Sequence, residues 1–458
     1  MKPQSSCCWL LATVLLLAIG CRPDGGAGPV RQIHPSIVVI TADTLRADHL
    51  GCYGYFRNTS PTLDALAAES VFFTNAVTTM ATTLPAHLSL WTSRYPLQTG
   101  VTMNGWKISR DKVGDGQIRL FAEMLKDLGY STAAFVSASP VKSYTGLDAG
   151  FDVYNEPRSE SGKKRRRAGR TNNAVLKWLQ SQPPEPFFLW VHYFDPHRPY
   201  APPRPFNTAF ADGPELRSFL EEREAIHPEQ PWVFTSNNLY DGEILYLDSE
   251  IKRLLQALKD KQLFDDLVLV FASDHGEGLG EHRRFGHGEI YNEQLQIPLM
   301  IKFPSKMGLN GQRVDRVVSL TDIVPTLAAT LDLELPDSDL EQFVGINVLS
   351  RKTERDYAFA QRATYRNRSW GKADKFALVG RKWKFAYDTK LGDSLFDLES
   401  DPYETKNEIA SHPELARELK DQLLQMIAEY SASERGLEVL EERAPEVLEE
   451  LRALGYIQ

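Results

Sequence analysis

Three apolar runs, each delivering the chain straight into polar, metal-competent residues, constrain the fold more than any other feature. Residues 37–41 (IVVIT) lead to Asp43, residues 187–191 (FFLWV) to His192, Asp195 and His197, and residues 267–272 (LVLVFA) to Ser273, Asp274 and His275. Short, continuous runs rich in β-branched and aromatic residues suit strands buried on both faces, as in a parallel sheet covered by helices. Helical periodicity over residues 62–69, 118–128, 172–180 and 240–259 supplies the crossovers between them. The alternation predicts an α/β fold, a large mixed but mostly parallel sheet sandwiched by helices. Ligands of such folds sit beyond the carboxyl ends of the strands, where the three polar clusters fall.

A chain of 458 residues is long enough for one large domain and a smaller one. Residues 331–343 turn acidic and irregular and are read as the boundary. Beyond them, residues 383–387 and 394–398 read as strands with a turn at Asp401-Pro402, and residues 415–430 and 444–454 as helices. The prediction is a catalytic domain over 36–335 and a C-terminal α+β subdomain over 336–458. A net charge of −9 argues against nucleic acid as a partner. The basic run Lys163-Lys164-Arg165-Arg166-Arg167, within residues 156–170, reads as a solvated surface insertion; contact with an anionic lipid or polymer is the sharper alternative.

At the N-terminus, Lys2 precedes an apolar run over residues 9–19, shorter than the roughly 20 residues that span a bilayer, so residues 1–20 read as a secretory signal. Gly20-Cys21 resembles a bacterial lipobox, although Ala18 stands where such boxes usually carry Leu. Cys21 would then carry a lipid that anchors the exported protein to the cell envelope. The plainer alternative is simple cleavage near Gly20. Of four cysteines, Cys7 and Cys8 leave with the signal and Cys21 takes the lipid; Cys52 alone remains, so no intrachain disulfide is expected. Residues 21–35, rich in Gly and Pro from Pro23 onward, read as a flexible tether.

Several longer blocks carry a resemblance. They are SIVVITADTLRADHLGCYGY from Ser36, PTLDALAAESVFFTNAV from Pro61, residues 121–138, PFFLWVHYFDPHRPY from Pro186 and YDGEILYLDSEI from Tyr240. They continue with VLVFASDHGEGLGEH and FGHG between Val268 and Gly288, VSLTDIVPTL from Val318, and DSLFDLESDPYETKNEI near the C-terminus. In this order the chain resembles the sulfatase family of the alkaline phosphatase superfamily over nearly its whole length after the tether. The resemblance implies that fold, an ester hydrolase activity, and metal ligation by Asp43, Asp274 and His275. Hard carboxylates and one imidazole at adjacent strand ends suit a divalent cation on chemical grounds too. Taken singly, an Asp after a strand is more often a cap or turn residue; the pair Asp274-His275 followed by Gly276-Glu277 is less easily read that way.

The block TTLPAHLSLWTSRYPLQTG, from Thr82, bears on the nucleophile. Sulfatases carry a C/S-x-P-x-R motif here and oxidise its first residue to formylglycine; by that correspondence Thr83 occupies the oxidised position and His87 the arginine. Threonine cannot yield formylglycine. The string T-x-P-x-H looks like that of nucleotide pyrophosphatase/phosphodiesterases, in which Thr attacks directly and, by the same resemblance, Thr83 would also touch the metal. Pro85 suits a first helical turn, which would put Thr83 at a helix N-terminus favourable to an anionic ester, though ordinary helix capping is an alternative for these threonines.

Thr44 stands where many sulfatases have a second Asp, which removes one charge and leaves calcium, magnesium, manganese and zinc open. His197 and His287 are expected to hold the ester oxygens or protonate the leaving alcohol, or with Asp195 to hold a second metal. His192 is read as packed against the sheet. Asn104 is a candidate donor to the ester, or a turn residue; Arg46 a candidate for orienting Asp43 or contacting an anion, or a surface partner of Asp48. The expected activity is metal-dependent hydrolysis of a sulfate or phosphate ester, phosphate favoured, with an envelope phospho-group transferase or a catalytically silent, lipid-anchored binding protein as alternatives. Residues 204–231, expected to shape specificity, carry no readable code.

Overall fold

Strand β1 (Ile37–Ala42) is buried at every position, and its side chains alternate between two cores. Ile37 and Val39 face one apolar cluster; Val38, Ile40 and Ala42 face another. That division follows from the period-two alternation of a strand and requires a covering layer on each side. The computed structural model from which this is read describes residues 34–108, 118–157, 165–225, 232–362 and 374–431, with residues 449, 452 and 453. The signal, Cys21 and the tether up to residue 33, Lys163, Lys164 and most of the helix expected over 444–454 lie outside the described residues. Among those described, no helix is long and apolar enough to cross a membrane.

The remaining strands are β2 (Val71–Val77), β3 (Ser131–Phe135), β4 (Val153–Asn155), β5 (Phe187–Tyr193), β6 (Val268–Ser273), β7 (Gly278–Leu279) and β8 (Phe285–Gly286). After them come β9 (Gln296–Lys302), β10 (Gln312–Ser319), β11 (Ala358–Arg362), β12 (Lys375–Val379), β13 (Trp383–Asp388) and β14 (Ser394–Asp397). The large sheet has eight strands in the order β10-β2-β9-β6-β1-β5-β3-β4. Only β9 runs antiparallel to its neighbours, β2 and β6; the other five pairings are parallel. Register places Ala42 beside Ser273 of β6 and Tyr193 of β5, so the three expected runs end side by side at the middle of the sheet.

Helices Pro61–Ala68, Ala168–Gln180 and Val233–Asp260 cover one face; Thr83–Thr92, Phe121–Asp127 and Ile323–Thr330 cover the other. The second sheet is antiparallel, β11-β12-β13-β14, and packs helix Pro413–Tyr430 through Phe359, Leu378, Phe385, Leu419 and Ile427. The change between layers comes later than the acidic composition suggests. Leu333, Leu335 and Val348 still belong to the core of the large sheet, and β11 begins only at Ala358. A few apolar side chains in an acidic stretch are enough to hold it against the first core.

Candidate active site

Beyond the ends of β1 and β6 the chain turns sharply. Thr44 adopts φ 57°, and its N–H donates to Asp274 Oδ1 at 3.2 Å while its hydroxyl turns back onto the Asp43 carbonyl at 2.8 Å. The backbone N–H of His275 also donates to Asp274 Oδ1, at 2.8 Å. Ser273 braces the corner: its hydroxyl is 2.7 Å from the carbonyls of Ala42 and His275 and accepts from Leu45 N–H at 3.1 Å. These contacts fix one oxygen of Asp274 and leave Oδ2 aimed at Asp43 and His275.

Asp43, Asp274 and His275 each offer one ligand atom, all within 4.8 Å of one another, and all three residues are buried. His275 Nδ1 donates to the Gly276 carbonyl at 2.9 Å, which makes Nε2 the bare nitrogen of the neutral ring. That lone pair lies 3.5 Å from Asp274 Oδ2 and 4.0 Å from Asp43 Oδ1. Asp43 Oδ1, Asp274 Oδ2 and His275 Nε2 have no hydrogen-bond partner. Three buried acceptors converging without a donor are mutually repulsive unless a cation lies among them. Burial pushes the Asp43 carboxyl up, against the pull of His197 and His287; burial and the neighbouring Asp43 charge push Asp274 well up. The donor set therefore fits a divalent metal, and two carboxylates with one imidazole do not select among calcium, magnesium, manganese and zinc.

Thr83 is the first residue of helix Thr83–Thr92, and its hydroxyl donates to Asp43 Oδ2 at 3.2 Å. Thr82 is the extended N-cap, and Pro85, third in the helix, gives up an N–H that would have no intrahelical partner. The helix start is poorer in donors than expected. Leu84 N–H goes to Asn104 Oδ1 at 2.8 Å and Pro85 has none, so the dipole remains but not a row of amides. His87 Nδ1 donates to the Thr83 carbonyl at 2.8 Å, so Nε2 accepts from the Thr41 hydroxyl at 3.1 Å, which itself accepts from the Trp190 indole at 2.9 Å. Burial, with His192 nearby, holds His87 well below the usual histidine range, so it stands here as a neutral ring rather than a fixed cation.

Across the site, His197 Nδ1 donates to the Arg198 carbonyl at 2.6 Å and His287 Nδ1 to the Ala81 carbonyl at 3.0 Å. Both Nε2 atoms are thereby turned inward and meet at 3.3 Å, a contact that is attractive only when one proton is shared between them. His197 is stacked on Phe194 at 4.3 Å, and His287 packs 4.4 Å from His275.

Four expectations need correction. Arg46 is not a substrate contact: it is buried, and its guanidinium is spent on Asp48 (2.9 and 2.7 Å), Glu281 (2.7 Å) and the Glu277 carbonyl (3.1 Å). The pairing with Asp48 is thus an interior anchor. Asn104 is exposed and turns its carbonyl oxygen to Leu84 rather than toward Thr83. Asp195 does not join the histidines; its oxygens take the Ala168 N–H at 2.9 and 3.2 Å, at the start of helix Ala168–Gln180. His192 lies in the sheet but is not mere packing, since Ser137 N–H donates to its Nδ1 at 3.2 Å and its Nε2 faces Asp43 Oδ2 at 3.8 Å. Burial, with Arg166 and His197 nearby, lowers its pKa to about 3. The alternation along β5 put His192 on the site's side of the sheet, and that was the sequence signal for it.

Residues 35–333, more than half the chain, match the family model for Sulfatase. The chain belongs to the sulfatase family. It is an ester hydrolase of that family, whose members are metal-dependent. Residues 280–429 match a second model, N-sulphoglucosamine sulphohydrolase, C-terminal. An arylsulfatase of Clostridium perfringens is 25% identical, covering 82% of this chain and 90% of its own. An N-acetylgalactosamine-6-O-sulfatase of Bacteroides thetaiotaomicron is 26% identical, covering 92% and 99%. The crystal structure of a phosphonate monoester hydrolase of Agrobacterium radiobacter superposes with a TM-score of 0.70 at 22% identity, over 86% of this chain and 96% of that one, a likeness of fold.

Proposed function

We propose that this sulfatase-family hydrolase uses Thr83 itself as nucleophile, with a divalent metal held by Asp43, Asp274 and His275, and favours phosphate over sulfate esters. The observation that carries the reading is the Thr83 hydroxyl at a helix N-terminus, 3.2 Å from an Asp43 whose other oxygen converges with Asp274 Oδ2 and His275 Nε2. A metal bound there supplies positive charge that lowers the pKa of a neighbouring hydroxyl and stabilises charge on the transferring group. Asp43 Oδ2 accepts the Thr83 proton as Oγ bonds to phosphorus and the bond to the leaving oxygen breaks. A proton taken up between the His197 and His287 Nε2 atoms passes to the leaving alcohol; burial holds His197 below the usual histidine range, against the pull of Asp43, so the pair gives such a proton up readily. Water then attacks phosphorus in line and gives a proton to the His197–His287 pair, the Thr83 ester bond breaks, and the Thr83 oxygen takes back the proton held on Asp43.

The substrate preference follows from the release step. A formylglycine sulfate is discharged by collapse to the aldehyde, an exit closed to a sulfated threonine. In-line attack of water suits phosphorus, whose transition-state charge a metal and a helix dipole stabilise. Neutral His87, in the place of an arginine, also lacks the bidentate fork that grips a sulfate. With purified, metal-replete protein, 4-nitrophenyl phosphate or its diester is expected to turn over faster than 4-nitrophenyl sulfate. A clear preference for the sulfate would overturn this reading.

We further propose that Cys21 is lipidated and holds the enzyme at the cell envelope, supported by the Gly20-Cys21 junction after an apolar run. The wild type is expected to sediment with membranes and Cys21→Ser to stay in the soluble fraction. A wild-type protein that is wholly soluble and begins downstream of Cys21 rules the anchor out.

A further inference from the structure

The second half of the basic run is not a solvated loop. Arg165 pairs its backbone with Ala138, Arg167 stands at the N-cap position of helix Ala168–Gln180, and Arg170 follows on its first turn. With Arg166, Phe194, Asp195 and Glu243 these arginines line a cavity of about 550 Å3, a size typical of small-molecule sites, which run roughly 300–1,000 Å3.

The cavity sets four arginines against two carboxylates, Asp195 and Glu243. Asp195 is occupied by the Ala168 N–H, and Glu243 pairs with Arg167 at 3.4 Å. Arg165 donates only to carbonyls, those of His197 (3.2 Å), Arg198 (3.5 Å) and Pro199 (3.2 Å). Arg166 donates to the side chain and backbone of Asn155, at 2.5 and 3.0 Å, and its Nε is buried without a partner. Among the described residues no carboxylate lies within ion-pair distance of Arg165, Arg166 or Arg170. Carbonyls and Asn155 hold these guanidiniums in place without neutralising them, so their charge faces a partly enclosed space and suits an oxyanion.

The cavity also shares a wall with the catalytic histidines. Arg165 lies 6.0 Å over the Phe194 ring, and His197 is stacked on that same ring at 4.3 Å. We propose that this cavity is a second oxyanion site, which receives a sulfate or phosphate group carried elsewhere on the molecule whose ester is cleaved at Thr83. The enzyme's substrate class is then a polyanionic ester. The inference rests on the Thr83 reading for the cleaved end alone; anion binding in the cavity does not depend on it.

The test uses the full chain with Cys21→Ser, comparing it with Arg170→Gln and with Arg170→Glu. Arg170 is exposed, so its replacement leaves the fold intact. Against glucose 1,6-bisphosphate Arg170→Glu is expected to raise KM about tenfold or more, from the loss of a charge-assisted contact and the like charge put in its place, with Arg170→Gln part-way. Values of kcat, and kcat/KM for glucose 6-phosphate and 4-nitrophenyl phosphate, should hold within about twofold. Calorimetric titration with inorganic pyrophosphate should show a parallel loss of affinity in the variants. If the parent turns over neither phosphate nor sulfate esters, the Thr83 reading falls while this titration still decides the cavity. Equal pyrophosphate affinity in parent and Arg170→Glu, or an equal loss of kcat/KM for mono- and bisphosphates, would sink the second site. So would arginine-dependent sedimentation with phosphatidylglycerol vesicles that soluble bisphosphate cannot reverse, since the cavity would then serve a lipid surface.

Discussion

Thr83→Ala is expected to lower kcat for a phosphate ester by at least about a hundredfold, roughly 2.7 kcal/mol of transition-state stabilisation, with little change in KM. The side chain makes a single hydrogen bond, to Asp43, and the helix N-cap is Thr82, so the variant should fold and melt close to the parent. Thr83→Ser keeps a hydroxyl in the same place and should recover most of the lost rate. A stopped reaction should trap a phosphorylated Thr83 in the parent and none in the alanine variant. Full activity in Thr83→Ala would remove threonine from the chemistry altogether and leave Asp43 to activate water directly.

Asp274→Asn is expected to abolish both metal binding and turnover, with metal affinity falling at least about a hundredfold, the upper end of what even an outer partner of a ligand costs. The fold should survive, because an asparagine oxygen can still accept the N–H groups of Thr44 and His275 that position Oδ1. The variant also separates a metal site from a polar corner through stability. In chelator-stripped protein, Asp274 and Asp43 are two buried carboxyls that repel each other, so removing one charge should raise the melting temperature. On adding a divalent ion the order should reverse, because only the parent gains binding free energy. Unchanged metal content in Asp274→Asn, or a parent whose melting ignores added metal, would show the assignment wrong.

Thr44 shows how the expected loss of a ligand is absorbed. Its φ of 57° turns the hydroxyl onto the Asp43 carbonyl and its N–H onto Asp274, so the residue contributes geometry where a carboxylate would contribute charge. A sequence can reveal that a charge is missing, but the compensating backbone turn depends on dihedral angles. The same limit explains Arg46 and Asn104. Both stand beside residues of the right chemistry, yet Arg46 is drawn inward by Glu281, 235 positions away, and Asn104 by the amide of Leu84.

What the sequence determined by itself is the sheet and the place of its site. Continuous apolar runs suit a covered parallel sheet, and polar residues at their ends emerge at one edge, so the three polar clusters could be placed together, while the choice of Asp43, Asp274 and His275 as the metal set came from the resemblance to sulfatases. What only the tertiary structure decided is where each polar side chain turns. Asp195 and His197 are two residues apart, yet Asp195 caps a helix while His197 meets His287, ninety positions on. Likewise five consecutive basic residues read as a solvated loop, while Arg165 to Arg167 are held by carbonyls and by Glu243 from distant segments. Burial pattern is a local property, set by periodicity along one segment. Hydrogen-bond partners of buried polar groups are chosen among whatever the folded chain brings within about 3 Å, and that choice is made only once the packing exists.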